Sequence, residues 1–212
     1  ENGCPWNDDI FYHVAKNGNL ECLIYLHENG HEWDASIFNG ALRSGKFEHI
    51  IYLHENGCPW SYDIFRSASN LEHIIYLHEN GCPWNAAAYS ACDSLEHLTY
   101  LRENGCPWDA MTCSNVANEG KLEHIIYLHE NGCPWDAISC SKAARSGNLE
   151  CLIYLHENGC PWDMDACSEA AHSGNLECLT YLHENGCPGG AYACYGAAHG
   201  GNLECLIYLQ IG

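Results

Sequence analysis

Two positions that recur along this chain hold only cysteine and histidine. One follows a repeated Leu-Glu (Phe-Glu once) and reads Cys22, His49, His73, His97, His124, Cys151, Cys178 and Cys205. The other follows a repeated Gly and reads Cys4, His31, Cys58, Cys82, Cys106, Cys133, Cys160 and Cys187. Both residue types ligate soft and borderline metals. His54–Cys58, His78–Cys82, His129–Cys133, His156–Cys160 and His183–Cys187 are each four residues apart, so each pair offers two ligands. Zinc, however, takes four ligands at roughly 2.0–2.3 Å. Equivalent residues in neighbouring units stand about 8–10 Å apart, the helix-packing distance, so they cannot share one ion. There is no C-x-x-C. A third position exchanges aromatics for cysteine: Phe11, Phe38, Phe65, Tyr89, Cys113, Cys140, Cys167 and Cys194. A site that accepts that exchange is a packing site. We therefore expect no cofactor and no dedicated metal site, and keep Cys/His metal binding as a second alternative function.

Sixteen cysteines raise the question of disulfides. A bridge needs Cα atoms within about 7 Å, which the spacing between equivalent positions does not meet. Bridges between different positions stay open. Free thiols in a reducing intracellular compartment, cytoplasmic or nuclear, are the expectation. No enzyme is expected. There is no Gly-rich phosphate loop and no G-x-S-x-G, and every candidate nucleophile is one copy among many. The Trp position, Trp6 through Trp162, is read as packing across the seam between units. The Tyr position, Tyr25 through Tyr208, is read as core with a satisfied hydroxyl. The His that ends each L-x-Y-L-H run is read as a partner of the helix dipole and its last carbonyls.

The elements that must position these residues follow from the repeat itself. E-N-G begins at Glu1, Glu28, Glu55, Glu79, Glu103, Glu130, Glu157 and Glu184, a period of 27 residues with two units of 24. A period in this range signals stacked units without one globular core. The units are 1–27, 28–54, 55–78, 79–102, 103–129, 130–156, 157–183 and 184–212, one array over 1–212. In the unit from Glu130, Asp136 fits an N-cap. Ile138, Cys140, Ala143 and Ala144 form the apolar face of a first helix. Gly147 suits a left-handed helix end, and Asn148 is read as the cap of a second helix. Leu149, Leu152 and Leu155 are its inward stripe. Helices of eight to ten residues are marginal alone, so stacking must stabilise them. The Ile position (Ile24, Ile51, Ile75, Ile126, Ile153, Ile207) would make an apolar flank if exposed.

The stretch Ser139 to Glu150, with Ala143-Ala144-x-x-Gly147 and Leu149-Glu150, resembles the second half of an ankyrin repeat, and Cys151 to Gly159 resembles its second helix and closing E-N-G. The likeness runs through all eight units. Each unit is shorter than the ankyrin repeat of about 33 residues, and C-P-W-D stands where a β-hairpin finger would be. The variant is similar to divergent arrays of large DNA viruses, algae and protists. The resemblance implies an all-α, ankyrin-like solenoid of eight short helix–turn–helix repeats with little or no sheet. It also implies a protein–protein interaction scaffold that uses the variable first-helix face. The candidate partner-binding residues on that face are Asp8, Lys16, Asn17, Arg43, Ser44, Tyr62, Asn118, Glu119, Arg145, Ser146, Met164, His172, Ser173 and His199. The units from Glu55 and Glu79 lack three residues at the end of the first helix, which predicts a shallow notch.

Acids number 28 and bases 8, for a net charge of −20. That balance is taken to exclude nucleic acid and anionic membranes, and to favour another protein with a basic surface. No apolar run is long enough to span a bilayer. Residue 1 lies inside the motif, so a longer chain is expected. Self-association into filaments is the first alternative function.

Overall fold

The computed structural model describes residues 10–17 and 19–211, with no side-chain description of Ile211. Cys4, Trp6, Asn7 and Asp8 lie outside the described residues. The chain is all-α, and among the described residues there is no strand. It divides into two compact units, Glu1–Cys106 and Pro107–Gly212, so the boundary falls inside a C-P-W loop.

The first unit contains α1 (Ile10–Asn17), α2 (Leu20–Glu28), α3 (Ser36–Ser44), α4 (Phe47–Glu55), α5 (Leu71–Glu79) and α6 (Leu95–Glu103). In the two 24-residue repeats the first helix is not an α-helix. It shrinks to 3-10 turns over Ile64–Ser67 and Ala86–Ala91. Losing three residues removes almost one α-turn, and the tighter 3-10 winding spans the remaining distance with fewer residues. The second unit contains α7 (Ala110–Glu119), α8 (Leu122–Glu130), α9 (Ala137–Ser146), α10 (Leu149–Glu157), α11 (Met164–Ser173), α12 (Leu176–Glu184), α13 (Gly190–Gly200) and α14 (Leu203–Ile211). In each unit, first helices pack on the first helices of neighbouring repeats, and second helices on second helices. Alanines at the contact (Ala143, Ala144, Ala170, Ala171, Ala197) are fully buried and let the backbones approach closely.

The caps explain much of the repeated lettering. Asp109, Asp136 and Asp163 accept from backbone N–H groups of Thr112, Ile138 and Asp165, as expected of N-caps. Gly190 does not; it lies inside α13, which follows Gly189. Ser61 does not cap either, because the 3-10 turn that follows begins only at Ile64. The E-N-G-C run (E-N-G-H after α2) closes the second helices from α2 to α12 with paired terminal bonds. In the second unit, Gly159 N–H donates to the His156 carbonyl at 3.0 Å and Cys160 N–H to the Leu155 carbonyl at 2.9 Å. This Schellman pattern needs a left-handed residue at the glycine, and Gly159 has φ +83°. Asn158 turns its side chain back to donate to the Tyr154 carbonyl at 2.8 Å.

Two sequence readings of packing change. Ile138 is not part of the buried face; it is 45% exposed, while Ser139 beside it is buried. Asn148 and Asn175 do not cap their own helices. Each reaches into the preceding repeat instead. Asn148 Nδ2 donates to the carbonyls of Ala117 and Asn118 at 3.0 and 3.1 Å. Asn175 Nδ2 donates to Ala144 and Arg145 at 3.0 and 2.7 Å. Asn202 does the same to Ala171 and His172 at 3.0 and 2.6 Å. Last-turn carbonyls have no partner within their helix, so the preceding first helix is capped by its neighbour. Among the described residues that precede second helices, Asn19 and Asn70 behave as ordinary caps, accepting from Cys22 and Glu72 N–H.

Candidate functional site

The positions with chemistry in them fall into two groups, one in the seams between repeats and one on the outer ends of the first helices. The seam group begins with histidine. His27, His54 and His78 in the first unit, and His129, His156 and His183 in the second, each place Nδ1 at 2.8–3.0 Å from the hydroxyl of a Tyr in the next repeat. The tyrosines are Tyr52, Tyr76, Tyr100, Tyr154, Tyr181 and Tyr208. The indole that follows stacks on the imidazole. His156 and Trp162 have ring centroids 3.7 Å apart at 16°, and His78 and Trp84 are 3.8 Å apart at 12°. The histidine is therefore a hinge pin between repeats, fixed by a hydrogen bond on its edge and an indole on its face. This replaces the reading of it as a carbonyl partner. Trp packs across the seam as the sequence suggests. These six Tyr hydroxyls are satisfied, although the rings are half-buried rather than core. Burial first, then a nearby Glu from the preceding E-N-G, pushes the phenols of Tyr52, Tyr76, Tyr100, Tyr154 and Tyr181 above their ordinary range. They stay protonated at neutral pH.

The loop cysteines have a second seam role. Cys133, Cys160 and Cys187 donate S–H to the carbonyls of Asp109, Asp136 and Asp163 at 3.6, 3.2 and 3.2 Å. Cys58 and Cys106 do the same to Asp34 and Asn85 at 3.6 and 3.5 Å. Each thiol thus ties a loop to the start of the first helix one repeat earlier, at the N-cap residue itself for Cys106, Cys133, Cys160 and Cys187. Burial pushes the thiols of Cys58, Cys82 and Cys106 up to about 12. The Cys/His position on the second helix is buried from His49 to Cys205, and Cys22 alone is exposed. Among the described residues, no three His, Cys, Asp or Glu side chains gather closely enough to hold a metal ion. Every described cysteine is a free thiol.

The outer group lies at the C-terminal ends of the first helices. In the first unit, Lys16 and Arg43 are exposed on adjacent helices around the Tyr12 ring. Lys16 Nζ is 5.8 Å from that ring's centre, and Arg43 Nη1 is 3.4 Å from its hydroxyl. Asn17 is exposed beside them, and the half-buried Ser44 donates its hydroxyl to the Ala41 carbonyl at 2.7 Å. In the second unit, Asn118, Arg145, His172 and His199 occupy one position on successive helices. Arg145 Nε is 3.6 Å from a Glu169 carboxylate oxygen. His172 and His199 stack at 5.1 Å with their Nδ1 atoms 3.4 Å apart. Tyr195 stacks on His199 at 5.8 Å. Glu119 pairs with Lys121 at 2.9 Å, Ser146 donates to the Lys142 carbonyl at 2.8 Å, and Ser173 is exposed.

Two candidates fall away from this surface. Met164 is exposed, but it opens α11 while His172 is in its last turn, roughly 12 Å along the axis. Tyr62 is 86% exposed in the turn before a 3-10 segment. The sequence reading also omitted Tyr12, Glu169 and Tyr195. The signal was present: Tyr12 and Tyr195 sit four residues before Lys16 and His199, and residues so spaced share a helix face.

Residues 167–210 match a family model described as ankyrin repeats, many copies. No curated protein matches the chain. Among solved structures, the chain is similar to the pentatricopeptide repeat protein PPR10 in complex with an 18-nt psaJ RNA element. That match has 16% identity and a TM-score of 0.46, and covers 96% of this chain and 37% of the other. It is also similar to PPR10 from maize at 16% identity and TM-score 0.39, covering 96% of this chain and 38% of the other. The chain thus spans little more than a third of those proteins. The expected exclusion of nucleic acid is withdrawn: it rested on net charge alone, and PPR10 is itself described in complex with an RNA element. The physical weakness of the exclusion was its use of net charge. Lys16, Arg43 and Arg145 are three of only eight basic residues, and all three lie at first-helix ends. The same clustering removes the ground for expecting a basic partner. Among the described residues, no helix is long and apolar enough to cross a membrane.

Proposed function

We propose that this helical repeat array is a non-enzymatic scaffold whose first-helix ends bind another protein, and that the ankyrin likeness of residues 167–210 extends to all eight repeats as a short, fingerless variant. The observation that carries the reading is the position shared by Arg145, His172 and His199. It presents one cationic or imidazole side chain per repeat on an exposed surface, within a strongly acidic chain. The seam histidines and cysteines are occupied with holding repeats together, whereas this position makes few contacts that stability requires. A partner segment bearing carboxylates fits it, because guanidinium and imidazolium groups pair with carboxylates.

The test is affinity capture with the intact chain, an Arg145→Glu/His172→Glu variant, and a Glu157→Lys variant as a control on another edge. A protein retained by the wild type and the control, resistant to nuclease, and lost at least about tenfold with the double variant supports the reading. Capture that disappears on nuclease treatment, or that the double variant leaves unchanged, overturns it.

A further inference from the structure

His172 and His199 come together through a local change in how two first helices pack. They hold the same place in successive repeats, in the last turns of α11 and α13. Two further glycines, Gly196 and Gly200, stand in α13 where the preceding repeat has Glu169 and Ser173. A Cβ at Gly196 would run into the carbonyl oxygen of Ser168 on α11, and one at Gly200 into that of His172. Glycine permits this close approach, although it weakens a helix. Asn202 donates Nδ2 to the His172 carbonyl at 2.6 Å, and Tyr195 stacks on the His199 ring at 5.8 Å and 12°. The two imidazoles end with their ring centres 5.1 Å apart and their Nδ1 atoms 3.4 Å apart.

We infer that His172 and His199 form a two-histidine site for a zinc ion on the outer surface of the second unit. The spacing selects the ion. Zinc holds imidazole nitrogens at about 2.0–2.1 Å in tetrahedral geometry, which sets neighbouring ligand atoms about 3.3–3.4 Å apart. An octahedral ion at the same bond length would draw them to about 2.9 Å. The observed separation is the tetrahedral edge. Imidazole is also a ligand that suits zinc, whereas magnesium and calcium take oxygen.

The rings need little rearrangement to bind. Without a cation, one Nδ1–H donates to the other Nδ1. With zinc, both Nδ1 lone pairs face the ion and both rings take the Nε2–H tautomer. No third His, Cys, Asp or Glu among the described residues completes the set. Two positions are therefore left to water, and the site is more open than a four-ligand structural centre. The sequence-based expectation of no dedicated metal site weighed the positions that hold Cys or His in every repeat. His172 and His199 belong to the variable position, where histidine occurs in the last two repeats alone. The site needs no protein partner, so its test is separate from that of the binding surface.

That test is a zinc titration of the intact chain by calorimetry at neutral pH, after iodoacetamide has blocked the exposed thiols of Cys22 and Cys194 under native conditions. One zinc ion per chain should bind and shift the Nδ1 resonances of His172 and His199 in imidazole nitrogen NMR. His172→Ala and His199→Ala should each weaken that binding at least about tenfold, since even an outer-shell partner of a metal ligand is worth that much. His13→Ala, which removes an exposed imidazole of the first unit, should leave it unchanged. Helical circular dichroism separates loss of the site from loss of the fold. No uptake by the folded chain, uptake that survives both histidine variants, an equal loss with His13→Ala, or coordination through Nε2 would overturn the inference.

Discussion

His49 and His73 occupy the same second-helix position that Cys151 and Cys178 fill in the second unit, and both are 1% exposed. Burial lowers the pKa of each below the ordinary histidine value. At His49 the backbone carbonyl of Ala15 and Glu48 oppose that shift and Lys46 adds to it; at His73 only Glu72 opposes it. The Phe47 ring stacks on His73 at 5.7 Å. The folded state therefore holds these imidazoles neutral, while the unfolded chain takes up protons as pH falls through about 6.5. Stability rises with pH wherever the unfolded state binds more protons. It is thus fully present above that value and lost below it. We expect a lower thermal midpoint at pH 5.5 than at pH 7.5. In His73→Cys, which installs the residue found at the equivalent position elsewhere, that drop should shrink. An equal drop in the variant and the wild type would show that the buried imidazole does not set it.

At the scale of the elements, the asparagine before each second helix has two different jobs. Asn70 caps its own helix through the Glu72 N–H. Asn175 bonds the last carbonyls of α9 in the preceding repeat. The difference follows from repeat length. Asn175 follows a full first helix in its own 27-residue unit, whereas Asn70 follows a 3-10 turn in a 24-residue one. Asn175→Ala should cost about 1–2 kcal/mol in urea unfolding, since it strands two carbonyls of which one is partly buried. Asn70→Ala should cost no more than about 1 kcal/mol, the usual loss of a cap. Equal costs would argue that both residues act only within their own helix. The helix starts and ends were largely legible in the letters, because Asp caps and left-handed glycines act locally. The exceptions were Asn148, Asn175 and Asn202, whose partners lie 30 or 31 residues away.

For the chain as a whole, stability in a repeat array is the sum of weak units and the interfaces between neighbours. Among the described residues, α14 packs on α13 and on the preceding second helix, α12. Leu203 and Ile207 are 67% and 47% exposed, whereas their equivalents Leu149 and Ile153 are half-buried. Hydrogen exchange should therefore be faster in α14 than in α10 by roughly tenfold or more, as local opening there exposes less new apolar surface. Uniform protection across the two helices would mean that the terminal helix is held by something other than the stack. The half-burial of the interior isoleucines also bears on the expected apolar flank. Ile24, Ile51 and Ile75 in the first unit, and Ile126 and Ile153 in the second, are partly covered.

By itself, the sequence determined the repeat, the all-α class, most of the helix ends and the face on which the repeats differ. Those properties depend on periodicity, on caps acting over a few residues, and on comparison of one repeat with the next. Tertiary structure decided what the histidines and cysteines do. The His–Tyr hydrogen bonds span 22 or 25 residues, and the thiol–carbonyl bonds 21 or 24. Reading along one repeat cannot pair residues that meet only after the next repeat has stacked.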